Sequence, residues 1–113
     1  MAGKLIRRGD IVVVAIQGDY GKPRPALVVQ SDLFSTLPSV TICPITSLVR
    51  SDADLFRLTI EPTEENGLRQ ISQIAIDKIT TVAKEKISRL AGHADGTIML
   101  RVNRAVAVFL GLA

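Results

Sequence analysis

The chain has 113 residues, 14 Lys and Arg against 11 Asp and Glu for a net charge of +3, and a 47% hydrophobic composition. That length supports one core and leaves no room for a second catalytic domain, so residues 1–113 read as a single domain. The composition is too apolar for disorder and too evenly interrupted for a membrane span. With 4% aromatic residues and no Trp, any nucleic-acid site here must rely on charge and hydrogen bonds more than on stacked rings.

The excess charge is confined to one end. Residues 1–50 carry six basic side chains and three acidic ones, whereas the remainder carries eight of each. A basic bias at one end suits an anionic partner but does not identify one. The single cysteine, Cys43, excludes an internal disulfide and, with no base beside it, reads as a small core residue. The basic start lacks the apolar stretch of a secretion signal, so a cytoplasmic location is expected.

In chain order, Ile11–Ile16 is a β-branched run with the character of a strand buried on both faces. Turn formers from Gly18 to Pro25 lead into a second apolar run, Ala26–Gln30, which predicts a hairpin with a long polar tip. Ser31-Asp32 can cap one helical turn over Leu33 and Phe34. A third strand is expected over Val40–Thr46, with Pro44 pointing to a sheet edge or a bulge. Leu55–Ile60 predicts a fourth strand, Gln70–Asp77 a fifth, and Ile79–Val82 and Ile87–Leu90 two shorter ones. The period then changes. Asp95 can cap a helix whose apolar positions Ile98, Val102, Ala105, Phe109 and Leu112 need a partner surface, and the sheet is the candidate.

Most common catalytic equipment is missing from this sequence. It has no phosphate-cradling Gly-rich loop and no paired Cys or His at metal-ligand spacing, and its single histidine, His93, excludes a two-histidine ribonuclease. His93 is expected in a solvated loop. The distinctive residue is Arg24, set between Pro23 and Pro25. Each ring fixes its own φ, and Pro25 also steers Arg24 away from helical geometry, so the guanidinium hangs from a stiff backbone. A planar five-donor cation held that way suits a phosphate and the extra negative charge of a pentacoordinate transition state, although a strand-end arginine in a surface ion pair has the same pattern. Thr46-Ser47, closing the third strand, offers two hydroxyls that can donate to a phosphate oxygen, or that serve only the turn.

Four segments together resemble the MazF/PemK family of toxin endoribonucleases: Arg8-Gly9-Asp10-Ile11-Val12, Lys22-Pro23-Arg24-Pro25-Ala26-Leu27-Val28-Val29, Cys43-Pro44-Ile45-Thr46-Ser47, and Ser72-Gln73-Ile74 to Asp77-Lys78-Ile79. The likeness runs through nearly the whole chain, in the family's order and spacing. It implies a mainly β (α+β) fold, a compact SH3-like barrel of antiparallel strands with a C-terminal helix, and a homodimer. It also implies metal-independent cleavage of single-stranded RNA by 2′-hydroxyl attack, no cofactor, and an antitoxin whose extended C-terminal segment covers the RNA groove. The family's catalytic arginine falls on Arg24 and its catalytic threonine on Thr46, with substrate contacts expected at Tyr20, Lys22, Ser47 and Gln73. Where some members carry Arg and Asp before that glutamine, this chain has Gln70, Ile71 and Ser72. Two other readings stay open: a gyrase-binding toxin like CcdB, which shares the general fold, and a non-catalytic RNA-binding member.

Overall fold

The computed structural model describes residues 5–16 and 21–113. Among them seven strands run in chain order: β1 (Asp10–Ala15), β2 (Pro23–Val28), β3 (Ser39–Thr46), β4 (Arg57–Ile60), β5 (Ser72–Ala75), β6 (Thr80–Ala83) and β7 (Ile87–His93). One helix, α1 (Gly96–Phe109), follows. The strands form one antiparallel sheet in the order β4-β5-β3-β2-β1-β7, with β6 added against β3. The barrel-like architecture expected of the sequence is therefore present, with the helix where the change of period put it.

β3 holds the sheet together by changing partners along its length. Its first half, Ser39–Ile42, pairs with β6, and its last residues, Ile45 and Thr46, pair with β5. β2 runs along the other side, with Ala26 opposite Pro44 and Val28 opposite Ile42. Pro44 thus lies in an interior strand and not at the edge that a missing N–H suggests. It sits in the gap between the β6 and β5 ladders, where that side of the strand has no ladder to complete. Between β1 and β7 the register shifts twice, at Ile11/Val12 and at Val13/Val14, and such bulges bend a sheet and increase its twist.

The central strands are buried on both faces, as a β-branched run without polar alternation requires. Ile11, Leu27, Cys43, Ile45 and Ile74 pack into one cluster, while Val12, Val14, Ala26, Val28, Val40 and Ile42 pack into a second. Helix α1 covers the first cluster with Val102 and Ala105, and Ile98, Met99 and Val106 pack around them. Its start is capped by Asp95, whose carboxylate accepts from the Ile98 amide at 2.9 Å. Phe109 and Leu112 extend the predicted stripe but stay exposed, because the helix stops at Phe109, close to where the covered cluster ends. Arg8 fastens the helix from its far side, donating from Nη2 to Asn103 Oδ1 at 2.6 Å and from Nε to the Val29 carbonyl at 3.0 Å.

The turn between β4 and β5 is pressed against β7. Asn66 is buried and organises this turn by accepting from the Thr63 and Leu68 amides and donating to the Glu61 carbonyl. A Cβ on Gly92 would stand 2.3 Å from the Glu65 carbonyl oxygen, and one on Gly67, at φ +70°, would stand 2.2 Å from the Ala91 carbonyl oxygen. Gly67 and Gly92 permit this backbone-to-backbone approach, and it brings residues 67–70 alongside the sheet. No helix among the described residues is long and apolar enough to cross a membrane.

Candidate active site

Arg24 and Thr46 stand at neighbouring strand ends. The β2–β3 ladder pairs Val28 with Ile42, Leu27 with Cys43 and Ala26 with Pro44. That ladder ends two residues short of both Arg24 and Thr46, each of which lies just beyond its last pair. On its other side Arg24 pairs with Val14, so β1 holds the Pro23-Arg24-Pro25 segment extended. Arg24, Thr46 and Ser47 all line one groove of about 1120 Å³. Arg24 is an exposed residue.

The charge of this groove has one sign. Arg24, Arg50, Arg57, Arg69, Lys78 and Arg89 contribute to its lining, and among the described residues no Asp or Glu does. Arg57 is paired from behind: its Nε donates to Asp77 Oδ1 at 2.7 Å and its Nη2 to Oδ2 at 3.1 Å. Those hydrogen bonds hold the Asp77 carboxyl below the usual carboxylate range and raise Arg57 in turn. The guanidinium of the half-exposed Arg50 lies 5.9 Å from the centre of the Phe56 ring and 3.4 Å from the exposed Asp52 carboxylate. Apart from Arg24, these cations are scattered through the sequence with no local pattern. Only folding brings them to one face, and of these Lys78 alone lies in one of the motifs quoted above.

The hydroxyl of Thr46 accepts from the Leu48 amide at 3.1 Å. With one lone pair so engaged, its proton remains available to donate into the groove. Ser47 is exposed beside it. Gln73, expected as a substrate contact, is placed differently: it is 1% exposed and does not line the groove. Its Oε1 accepts from the Arg50 amide at 2.9 Å, and its Nε2 donates to the Arg50 carbonyl at 2.9 Å and to Thr59 Oγ1 at 3.1 Å. Such an amide supports the loop after β3 from beneath. Lys22 is exposed just before β2 and is not part of the groove lining, and Tyr20 lies outside the described residues. Cys43 is a core residue whose thiol is pushed up to about 12 by burial, which rules out a ready thiolate. His93 is the last residue of β7 and not a loop residue; its imidazole is exposed, 3.7 Å from Glu65.

Residues 7–110 match the family described as PemK-like, MazF-like toxin of type II toxin-antitoxin system. The chain is 46% identical over 109 residues to a probable endoribonuclease MazF of Mycolicibacterium smegmatis, covering 96% of this chain and 99% of that protein. It is also 24% identical over 113 residues to the endoribonuclease EndoA of Bacillus subtilis, at 96% and 97% coverage. The fold is similar to that of the Mycobacterium tuberculosis toxin MazF-mt6, with a TM-score of 0.78, 23% identity and 92% and 98% of the two chains covered. It is similar too to a mycobacterial endoribonuclease solved in complex with its cognate antitoxin, with a TM-score of 0.79, 21% identity and 96% and 97% covered. The chain belongs to the PemK/MazF family of toxins of type II toxin–antitoxin systems.

Proposed function

We propose that this MazF-type toxin endoribonuclease cuts single-stranded RNA by attack of a ribose 2′-hydroxyl on the adjacent phosphorus, leaving a 2′,3′-cyclic phosphate and a 5′-hydroxyl. Arg24 and Thr46 are its catalytic residues. The observation that supports this most directly is their shared groove, lined by six cationic side chains and no described carboxylate. An internal nucleophile asks the protein mainly for alignment and for neutralisation of charge building on the phosphoryl oxygens. Arg24 supplies a rigidly carried fork for two of those oxygens, and Thr46 donates one further hydrogen bond without adding charge. Arginine is too weak an acid to serve as a base at neutral pH, so a water or a substrate group carries the proton from the 2′-hydroxyl.

Ser47 and the remaining groove cations hold the flanking phosphates, with Lys22 and Tyr20 contributing on the β1–β2 side. The substrate is messenger RNA in the cytoplasm, and its cleavage stops translation and growth. The toxin acts as a homodimer and is silenced by a cognate antitoxin whose extended C-terminal segment, acidic or apolar, folds onto the RNA groove. Incubating the purified chain with a mixed pool of single-stranded RNA in EDTA and scoring new 5′-hydroxyl ends tests the reaction and maps its target sequence. RNA left intact would overturn the reading in favour of a binding-only member of the fold. Light scattering at micromolar concentration tests the dimer, which a monomeric mass would exclude.

A further inference from the structure

We propose that Gln73 is the positioning residue of this site, clamping the loop that carries Ser47 and Arg50 to the strand end that carries Thr46. The inference rests on the ribonuclease reading above and extends it to a residue that touches no substrate. In the β3–β5 ladder Gln73 stands opposite Thr46, and in the β4–β5 ladder it stands opposite Thr59. From that junction its amide reaches the Arg50 backbone and binds both its N–H and its carbonyl, while the second Nε2 hydrogen goes to Thr59 Oγ1. Three hydrogen bonds thus leave one fully buried side chain, and two of them go to a single residue four positions beyond Thr46.

Burying a side-chain amide is costly unless its polar atoms find partners, as those of Gln73 do in Arg50 and Thr59. The loop needs this amide because Ser47–Arg50 is otherwise exposed, with Leu48 79% accessible and the Arg50 guanidinium 5.9 Å from the Phe56 ring centre. The Leu48 amide fixes the beginning of the loop on Thr46 Oγ1, and Gln73 fixes its end at Arg50. These two points hold the backbone that carries Ser47 and Arg50 along the groove, and the Arg50 guanidinium then lies against Phe56 and Asp52.

The test compares Gln73→Leu with Thr59→Val, which removes only the third partner and leaves the loop clamp whole. Amide hydrogen exchange, single-turnover cleavage and affinity for an RNA blocked by a 2′-deoxy sugar are read on each. In Gln73→Leu the Arg50 amide should exchange about tenfold faster while those of Ile42 and Val102 stay protected. Cleavage should fall by roughly tenfold to a hundredfold, with affinity for the blocked RNA changed by less than about threefold. Thr59→Val should leave both the Arg50 exchange and the cleavage rate near their original values.

Undiminished cleavage with a freed Arg50 amide would overturn the positioning role, and so would equal losses of rate and affinity. An Arg50 amide that stays protected would overturn the clamp. Should Gln73→Leu fail to fold, Gln73→Asn keeps the amide one methylene short of Arg50 and carries the same comparison. RNA left uncut by the unmodified chain would instead overturn the ribonuclease reading, while the exchange measurement would still decide the clamp.

Discussion

Removing the fork of Arg24 should abolish most of the cleavage and leave the protein folded. The side chain is exposed on β2 and contributes to neither apolar cluster, so Arg24→Ala should change stability by no more than about 0.5 kcal/mol. The loss in the transition state is larger, because two charge-assisted hydrogen bonds to developing negative charge disappear together. Removing one preorganised donor from an oxyanion site costs about 3–4 kcal/mol, which corresponds to a rate loss between roughly 150-fold and 900-fold. The backbone that presents Arg24 is held by prolines on both sides and by the pairing with Val14, so no other geometry is available by which a neighbour could take over. Arg24→Lys should recover little, since a point charge cannot make two parallel bonds to one phosphate. The assay is single-turnover cleavage of single-stranded RNA in EDTA, with circular dichroism to establish folding. A folded Arg24→Ala protein that cuts within about threefold of the original rate would remove Arg24 from the mechanism.

Thr46→Ala should slow single-turnover cleavage by about tenfold, less than the arginine change, because one neutral hydrogen bond is lost and the Leu48 amide loses its acceptor; Thr46→Ser should retain most of the rate. Asp77→Asn should lower stability at pH 7 by about 1–2 kcal/mol in denaturant titration. The folded carboxyl of Asp77 lies below its unfolded value, so this contribution is complete above about pH 4 to 5 and is lost as the pH falls through the folded value. The gap between the two proteins should therefore close in acid, and a gap constant down to pH 2 would contradict the bridge. Gly92→Ala should cost about 3 kcal/mol or more and lower the melting temperature by roughly 10 °C, because its methyl would meet the Glu65 carbonyl oxygen; normal melting would show that the turn yields at no cost.

Much of this architecture is legible locally. The β-branched run at residues 11–16 declares a strand covered on both sides, and Asp95 announces the helix that it caps. The prolines around Arg24 mark the residue that lines the groove. The misreadings share a cause, which is that pairing partners are set by distant chain. Pro44 looks like an edge residue until β3 is seen to exchange β6 for β5 at that point. Leu55 and Phe56 have strand character, yet the Phe56 and Arg57 amides turn back to the Ala53 carbonyl, so β4 begins only at Arg57. β2 starts at Pro23 and not at Ala26, because β1 offers a partner that far out. Gln73 was legible as a motif residue, but its bonds to Arg50 span 23 positions, and no local pattern distinguishes a loop clamp from a substrate contact.

The handover at Pro44 has a consequence for how such a toxin can change. Arg24 and Thr46 lie on strands that ladders to β1 and β5 hold in place, whereas Ser47, Arg50 and Arg69 come from the connecting segments around them. Substitutions in those connecting segments can therefore reshape the rim of the groove while the strand framework beneath it stays as it is.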